Sequence, residues 1–409
     1  MPHRIVAAVV VSLSVAAHAQ PLSTPDPASA WEEIAELVRT RFRDPDLNGL
    51  DWPALTRDTA RAIDLEPGRA PEIIRATLAR LDDRHTNYFL PTERKYYELL
   101  DVFNSGGVED HPFLPDGLVT YVGIGLVAEE IDGRLFAADV YPGGPAHDAG
   151  VLVGDELVGA VNGPFADIEP FLGMEGRAVP LMVRRRAGGP VLGLTVVPER
   201  IQPRALFLEA QRLERRLIER DGVRVGYVRG RSHAHPDYLE VFEESMQTVL
   251  QDADALVFDF RGGWGGGSMD YLTHFNPAYP EMTTIRRDGE RRSWRPGWSR
   301  PLVGLADGGS RSSKDILAHA LKKLPNAVLV GGRTAGAVTG GSLFVLSDGS
   351  ALYLGVIDLL VDGVRLEGVG VEPDIAVGRS IPYAAGADPQ VERAIEVAER
   401  LVRERRGDV

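Results

Sequence analysis

Apolar and polar positions divide the chain into stretches with different periods. Between residues 29 and 83, the segments SAWEEIAELVRTRF and APEIIRATLARLDD carry apolar residues at helical spacing. From about residue 118 to 200, short runs such as VTYVGIGLVAEE and GRLFAADVY are separated by glycines, which indicates strands, and a short helix is predicted near Gly144. The pattern predicts a helical N-terminal region over residues 20–105 and a β-rich domain over residues 118–200. The turn-forming segment NSGGVEDHPFLPDG, residues 104–117, is predicted to be a linker.

Beyond residue 200, strand-like runs alternate with helices. A charged helix is predicted over ALFLEAQRLERRLIERDG, residues 205–222. The runs VRVGYVRG, ALVFDFRGG, PLVGLADGG and AVLVGG then alternate with helices near residues 238–250 and from about residue 312, and an amphipathic helix ends the chain. Such alternation indicates a mostly parallel, covered sheet. The predicted fold class is multi-domain α/β, with an α/β core over residues 201–409.

The first residues resemble an export signal. Arg4 supplies a positive start, residues 5–15 are apolar, and Ala17-His18-Ala19 fits a small-residue cleavage site. The apolar run is too short to span a bilayer, and no later run is longer. We therefore expect a signal peptide over residues 1–19, a mature chain that begins near Gln20, and a location in the periplasm or outside the cell.

Composition narrows the classes of function. The 409 residues contain no cysteine, which excludes disulfides, thiolate metal sites and a cysteine nucleophile. The net charge is −14 and the basic residues are scattered, so a nucleic acid is not an expected partner. The pattern GxxxxGK[ST] is absent, and His233 and His235 lack the carboxylate-rich surroundings of a metal site. We expect neither a metal nor a nucleotide cofactor.

A serine-rich junction is the first candidate for chemistry. In LADGGSRSSKDILAHALKK, an apolar strand passes through a glycine turn directly into a helix, with serines at 310, 312 and 313. The first amides of a helix have no intrahelical partner and stabilise negative charge, as acyl transfer requires. Ser310, Ser312 and Ser313 are candidate nucleophiles, although serine is also a common helix cap.

Three further stretches complete a candidate site. ALVFDFRGGWGGG ends a buried strand in a glycine loop, whose amides can approach a ligand closely, although a flexible turn has the same composition. In this loop Trp264 either lines the substrate cleft or covers the loop. In LEGVGVEPDIAV, Glu367 can orient a histidine or cap a turn. In LDDRHTNYF, His85 is a candidate base or a structural residue, and Asp82 and Asp83 are expected to form a solvated turn.

Together these stretches resemble the C-terminal processing (tail-specific) serine peptidases, including their tricorn-like relatives. Asp259 to Gly266 is similar to the family pattern Asp-Leu-Arg-Gly-Asn-x-Gly-Gly, and Glu367 to Ile375 is similar to its closing pattern. Ser312-Ser313-Lys314-Asp315 resembles the nucleophile pattern Ser-Ala-(Ser/Ala)-Glu. The resemblance implies that Ser312 is the nucleophile and that the amides of Ser313 and of Gly265 or Gly266 form the oxyanion hole.

The middle segment also resembles a PDZ domain of the bacterial arrangement. The loop GIGL, composed of Gly123, Ile124, Gly125 and Leu126, matches the loop that holds the terminal carboxylate of a peptide. The following VYPGGPAHDAGVLVGDELVGAVNG matches the most characteristic stretch of the domain. The resemblance implies that an extended peptide adds beside residues 126–129. The helix expected after Gly163, which forms one wall of the groove, is short.

Two branches of the family differ in the residue that accepts the proton of the serine nucleophile. One branch uses a lysine, but Ala337 occupies that position, and Lys314 lies two residues after Ser312 and points to another face of the helix. The tricorn-like branch uses a histidine with an orienting glutamate, and His85 and Glu367 match these residues. The resemblance therefore implies a Ser-His-Glu site.

The predicted function is that of an exported serine endopeptidase, which recruits unstructured or C-terminal polypeptide segments through its PDZ domain. Two alternatives remain open at this point. Gly263 replaces the family's asparagine, and Arg311 and Lys314 add charge beside the nucleophile, so a binding protein without activity is the first alternative. A hydrolase of non-peptide esters or amides is the second. The sequence predicts no oligomeric state.

Overall fold

The computed structural model describes residues 26–103, 118–275, 282–294 and 297–408. The predicted signal peptide and the predicted linker at 104–117 lie outside these residues.

Helices occur throughout the described chain. In chain order they are α1 Pro27–Arg41, α2 Trp52–Leu65, α3 Ala70–Ala79, α4 Arg94–Val102, α5 Pro145–Asp148, α6 Pro203–Glu214, α7 Pro236–Gln247, α8 Ser313–Leu321 and α9 Pro389–Arg406. Short 3-10 helices cover Leu47–Gly49, Pro67–Arg69, Glu169–Phe171 and Asp270–Phe275.

The strands of the described residues form several sheets. In chain order they are β1 Asn87–Phe89, β2 Tyr121–Gly123, β3 Leu126–Ile131, β4 Arg134–Val140, β5 Glu156–Ala160, β6 Val179–Arg184, β7 Leu192–Val196, β8 Glu199–Ile201, β9 Arg216–Arg220, β10 Val223–Arg229, β11 Ala255–Asp259, β12 Met282–Ile285, β13 Arg291–Trp294, β14 Leu302–Ala306, β15 Ala327–Gly331, β16 Gly340–Val345, β17 Ala351–Ile357 and β18 Ile375–Ala376.

The N-terminal helices pack on a small sheet of order β1-β17-β16. Trp31 and Ile74 of the helices share one buried cluster with Tyr88 of β1 and Leu352 of β17. Strand β1 pairs antiparallel with β17, with Asn87 opposite Tyr353. This pairing fixes the segment that contains His85 against a part of the chain more than 250 residues later.

A second unit contains the five-stranded antiparallel sheet β3-β4-β5-β6-β7 and the pair β2-β8. All of these strands lie between residues 121 and 201, close to the range predicted for the PDZ-like domain. The predicted wall after Gly163 is reduced to the 3-10 turn Glu169–Phe171. Strand β3 is at the end of the sheet order, so among the described strands it has one unpaired edge.

The core sheet has the order β18-β15-β14-β11-β10-β9. Within this sheet, the neighbouring strands β10, β11, β14, β15 and β18 are parallel to one another. Strand β9 pairs antiparallel with β10. Helix α9 covers one face, and α7 and α8 cover the other. The strands are buried on both faces, as expected of a parallel sheet between helices. The loops after β11 and β14 therefore leave the same edge of this sheet.

These elements confirm the predicted mixed α/β class, with two local differences. The charged helix expected over 205–222 is wrong in its second half, because α6 ends at Glu214 and residues 216–220 form the edge strand β9. The residues RLIER pair with Val223–Tyr227, and this pairing overrides their helical spacing. Helices α2 and α4 were not predicted. Among the described helices, none combines the length and the apolar character that a membrane crossing requires.

Candidate active site

The junction between β14 and α8 contains the three candidate serines, and their hydroxyl groups differ. The Ser310 hydroxyl is fully buried, donates to the Phe260 carbonyl at 3.1 Å and accepts from the Asp307 amide at 3.0 Å. The Ser313 hydroxyl is paired with His233 Nδ1 at 3.0 Å. The Ser312 hydroxyl makes no hydrogen bond within the described part of the chain, and the residue lines a small cavity. Only the hydroxyl of Ser312 is therefore free to react.

The backbone of Ser312 is held in an unusual conformation. Its φ of 62° and ψ of −125° place it in the left-handed half of backbone space, which costs a non-glycine residue about 1–3 kcal/mol. Its amide donates to the carbonyl of Ala337 at 2.7 Å, and its carbonyl accepts from the Asp315 amide at 2.9 Å. Strain that neighbouring contacts maintain in this way is typical of functional sites.

Asp315 fixes the loop that receives the Ser312 amide. Its buried carboxylate accepts hydrogen bonds from the Thr334 hydroxyl at 2.5 Å and from the Gly336 amide at 2.8 Å. A third bond comes from the amide of Ala337 at 3.2 Å. Burial raises the pKa of the Asp315 carboxyl. The acid in the nucleophile pattern thus connects α8 to residues 334–337.

The glycine loop after β11 closes against the serine. A Cβ on Gly265 would lie 2.4 Å from Ser312 Cβ and 3.0 Å from its Oγ, so only glycine fits there. A Cβ on Gly266 would instead meet the carbonyl of His233 at 2.2 Å. Gly265 is therefore the member of the predicted pair that approaches the nucleophile. Among the described residues, the amides of Gly265 and Ser313 have no hydrogen-bond acceptor.

His85 and Ser312 line the same cavity of about 60 Å³, and the His85 side chain is buried. Its Nδ1 is 3.1 Å from the Thr339 hydroxyl. Burial lowers the pKa of His85 to about 4, and the nearby charge of Arg311 acts in the same direction. The imidazole is therefore neutral at physiological pH.

The turn that carries His85 is built around Asp83, and the prediction of a solvated turn is wrong for this residue. The Asp83 carboxylate is buried and accepts from the amides of His85 at 3.1 Å and Thr86 at 2.8 Å. It also forms an ion pair with Arg43 at 3.0 Å. Asp82 is exposed, as predicted. A short Asp-x-x-Thr motif is a turn signal that the sequence contained.

Glu367 is buried near the histidine but reaches it indirectly. One carboxylate oxygen accepts from the Arg84 amide at 3.2 Å, and the other accepts from the amides of Val338 at 2.6 Å and Thr339 at 3.1 Å. In the described structure it makes no hydrogen bond to the imidazole. Its link to His85 runs through Thr339, which the sequence analysis did not identify.

Lys314 is the most unusual charged residue of the site. Its side chain is fully buried, and its ammonium donates to the carbonyls of Gly262 at 2.7 Å and Arg231 at 3.1 Å. Burial lowers its pKa to about 7. A Cβ on Gly263 would lie 2.1 Å from the Arg231 carbonyl and 3.2 Å from the Lys314 ammonium. The two departures from the family pattern, Gly263 and Lys314, are thus close to each other, and the Arg231 carbonyl leaves no room for a side chain at position 263.

The two histidines of the 233–235 segment have separate partners. His233 bonds to Ser313 and stacks on Tyr271 at 4.2 Å between ring centres. His235 accepts from the Asp237 amide at 3.3 Å and caps α7. Among the described residues, no group of three or more His, Cys, Asp or Glu side chains is arranged to hold a metal ion.

The loop predicted to bind a peptide terminus is part of the β-rich unit. Ile124 and Leu126 are buried in its core, and Gly123 belongs to strand β2. The carbonyls of Ile124 and Gly125 accept from the amides of Ala146 at 2.7 Å and Tyr141 at 3.1 Å. Peptide capture by this loop stays a prediction.

The strand-to-helix serine, the facing glycine loop and the neutral histidine have the arrangement expected of a serine-type hydrolase site on an α/β core. Residues 224–377 match the model of peptidase family S41. This range is therefore an S41-type peptidase core, and relatives of the chain carry the name carboxyl-terminal-processing peptidase.

Named relatives agree with this assignment. Carboxyl-terminal-processing peptidase 3, chloroplastic, of Arabidopsis thaliana is 26% identical over 408 residues, which cover 90% of this chain and 75% of that protein. Tricorn protease homolog 1 of Streptomyces coelicolor is 31% identical over 261 residues, or 62% of this chain and 24% of that longer protein. The solved structure of mature CPAF complexed with lactacystin has a TM-score of 0.53 at 13% identity, covers 93% of this chain and 99% of its own, and shares the fold.

Proposed function

We propose that this chain is an exported serine endopeptidase in which Ser312 is the nucleophile and His85 is the general base. The observation that carries the proposal is the contrast among the three serines. Two hydroxyl groups are engaged by Phe260 and His233, whereas that of Ser312 lies free in a cavity shared with His85. A serine hydroxyl needs an adjacent base to become nucleophilic.

The proposed reaction begins with attack of Ser312 Oγ on the scissile carbonyl carbon, as its proton passes to His85. Because Nδ1 of His85 faces Thr339, Nε2 is the atom that accepts this proton. The amides of Gly265 and Ser313 stabilise the oxyanion of the tetrahedral intermediate. When the intermediate collapses, His85 returns the proton to the leaving amine. Water then gives a proton to His85 and attacks the acyl carbonyl, and Ser312 Oγ leaves and takes that proton back as the acid product is released.

Glu367 and Thr339 act in this scheme as positioning residues. Glu367 fixes the amide of Thr339, whose hydroxyl pairs with the His85 ring. In the proposed tautomer Nδ1 carries the proton and donates it to the Thr339 hydroxyl, which leaves Nε2 unprotonated. Asp83 adds a second constraint, because it binds the amide of His85 itself.

Recruitment of substrate is assigned to the PDZ-like unit. Among the described strands β3 has an unpaired edge, and its residues Val127 and Glu129 line the large cleft. A peptide that adds along this edge enters the cleft, which shares lining residues with the cavity of Ser312. Export is proposed from the signal-like residues 1–19.

Covalent labelling of the mature protein with a fluorophosphonate probe tests the proposal. We expect labelling of the wild type and its loss in both Ser312→Ala and His85→Ala. Ser347→Ala and His147→Ala are matched controls, because both side chains are exposed and distant from the cavity. Labelling that survives Ser312→Ala contradicts the assignment of the nucleophile. Labelling lost only with Ser312→Ala contradicts the assignment of the base.

Substrate assays distinguish the class of hydrolase. We expect cleavage of internal peptide bonds in unstructured polypeptides, with matched small esters as a comparison. Hydrolysis of the esters alone favours the non-peptide alternative. A folded wild type that neither reacts with the probe nor cleaves a substrate favours the binding protein.

A further inference from the structure

A cleft of about 450 Å³ lies between the β-rich unit and the core sheet. Val127 and Glu129 line it from the β-rich unit, and the glycine loop lines it from the core. Arg84, Trp264 and Arg311 line both this cleft and the small cavity that contains Ser312. In the proposed reaction, this cleft receives the substrate residues that flank the scissile bond.

The charge of the cleft is opposite to that of the whole chain. The chain has a net charge of −14, yet the lining contains seven basic side chains and five acidic ones. The basic residues are Arg84, Arg94, Lys95, Arg229, Arg261, Arg311 and Arg379. The acidic residues are Glu98, Glu129, Asp139, Asp307 and Asp388.

All five carboxylates are already engaged by protein groups. Four form ion pairs: Glu98 with Arg94, Glu129 with Arg379, Asp139 with Arg229 and Asp388 with Arg261. Asp307 accepts from the amides of Gly262 at 3.1 Å and Gly309 at 2.8 Å. No free carboxylate in the described lining therefore remains to neutralise the other cations.

Three cations of the cleft have no carboxylate partner among the described residues. Arg84 donates to the carbonyls of Ala335 at 2.6 Å and Gly368 at 3.4 Å. Arg311 donates to the Arg84 carbonyl at 2.8 Å, and its guanidinium lies 5.9 Å from the centre of the Trp264 ring. The Lys95 ammonium makes no hydrogen bond there. Each keeps donors that the protein does not use.

Desolvation disfavours the charge of two of these cations, Lys95 and Arg311, whereas Arg84 is exposed. Desolvation lowers the pKa of Lys95, and the charges of Arg94 and Arg311 act in the same direction. Desolvation also lowers the pKa of Arg311. A partly desolvated cation gains more from an anion than an exposed one does, because water screens the interaction less. A carboxylate that enters the cleft relieves this cost, and a basic side chain increases it.

We propose that Arg84, Lys95 and Arg311 form a subsite for a carboxylate of the substrate, so that the peptidase selects polypeptides with an acidic group close to the scissile bond. The group is an Asp or Glu side chain or a free chain terminus, since both present the same two oxygens. This inference rests on the proposed function for the place of the scissile bond. The binding of a carboxylate in the cleft does not depend on catalysis.

Peptide binding to the Ser312→Ala variant tests the subsite apart from the reaction. Fluorescein-labelled octapeptides of alanine and leucine carry one glutamate or glutamine at successive positions, with an amidated or a free C-terminus. Fluorescence anisotropy gives the Kd of each. We expect at least one position at which glutamate binds about fivefold to tenfold more tightly than glutamine, with the difference reduced at high salt.

Lys95 is the informative position, because it lies outside the proposed catalytic residues. In the Ser312→Ala background, Lys95→Gln is expected to remove most of the glutamate preference, and Lys95→Arg to retain it. Lys323→Gln is the charge-matched control, because that lysine is exposed and pairs with Asp362 away from the cleft. A preference for a free over an amidated terminus, with none for glutamate, assigns the carboxylate to the chain end.

Two results overturn the proposal. One is that all peptides bind within twofold of each other, or that none binds, to a variant whose thermal unfolding matches the wild type. The other is a glutamate preference that Lys95→Gln leaves unchanged. Failure of the proposed function is recognised separately, since it requires that the fluorophosphonate probe does not label the wild type.

Discussion

The ammonium of Lys314 lies 2.7 Å from the carbonyl oxygen of Gly262, in the loop that leads to Gly265. A second bond to the Arg231 carbonyl, at 3.1 Å, ties the loop to the end of β10. The residue that follows Ser313 on α8 thus braces the glycine loop that faces the serine. In the proposed mechanism Lys314 supports the loop that supplies an oxyanion donor, and His85 is the base.

Replacement of Lys314 tests this support. We expect Lys314→Met to lower kcat by about tenfold or more with little change in KM, because a displaced oxyanion donor affects the transition state and not substrate binding. Steady-state kinetics with an unstructured polypeptide substrate measure both constants. Lys322→Met is the control, since that lysine contacts Glu372 and Asp374 on the surface. A change confined to KM would contradict the proposed role.

Lys314 also predicts a pH dependence of stability. Its pKa is about 7 in the folded protein and near 10.5 in the unfolded chain. Between these values the unfolded state binds more protons, so the free energy of unfolding rises as the pH increases from 7 to 10.5. Urea unfolding across this range is expected to show a smaller rise in Lys314→Met than in the wild type. Equal slopes would show that the lysine titrates normally.

The pH profile of activity tests His85. Because its pKa is lowered to about 4, kcat/KM is expected to fall only in acid near that pH and to be flat from pH 6 to 8. Removal of the positive charge of Arg311, which disfavours the imidazolium, raises this pKa. Arg311→Gln is therefore expected to shift the acid limb to higher pH. An acid limb that stays in place would exclude His85 as the group that titrates.

Gly265 predicts a steric block of the nucleophile. Gly265→Ala adds a Cβ that would lie 2.4 Å from Ser312 Cβ, so we expect loss of fluorophosphonate labelling. Gly267→Ala is a close control, because a Cβ there meets no heavy atom within 4 Å. Retained labelling in both variants would show that the loop stands farther from the serine than described.

Replacement of Ser310 is expected to affect stability, whereas replacement of Ser312 is expected to affect reactivity with the probe. Ser310→Ala leaves the buried Asp307 amide without its acceptor, so the free energy of unfolding falls by about 1–3 kcal/mol. Labelling persists in this variant, measured at a temperature where it is folded. Ser312→Ala loses labelling and keeps or gains stability, since it removes no hydrogen bond of its side chain and retains the same Cβ. The reverse pattern would identify Ser310 as the nucleophile.

The sequence predicted the parts of the molecule that depend on local pattern. Buried parallel strands such as β11 and β14 are continuous apolar runs, and the serine at the start of α8 follows from a glycine turn before a helical period. The edge strand β9 was missed because RLIER continues the helical spacing of α6, and only its pairing with Val223–Tyr227 decides its structure.

The interior of the site was less predictable. Thr339 contacts His85 across 254 positions of sequence, and no local signal joins such residues. Lys314 departs from the family pattern, and the sequence does not indicate that its ammonium is held between two backbone carbonyls. Asp83 was expected to be solvated like Asp82. Its carboxylate instead forms a buried ion pair with Arg43, which lies 40 positions earlier in the chain. Long-range partners decide these roles, and a single sequence does not display them.

The pairing of β1 with β17 has a consequence for biosynthesis. The candidate base lies near the start of the chain, but the strand that holds its segment in place, Ala351–Ile357, is made only after the serine. In the proposed mechanism, a chain that ends between Ser312 and β17 contains the nucleophile but lacks the strand that fixes the segment of the base. The active centre is therefore complete only after this late strand has been added to the sheet.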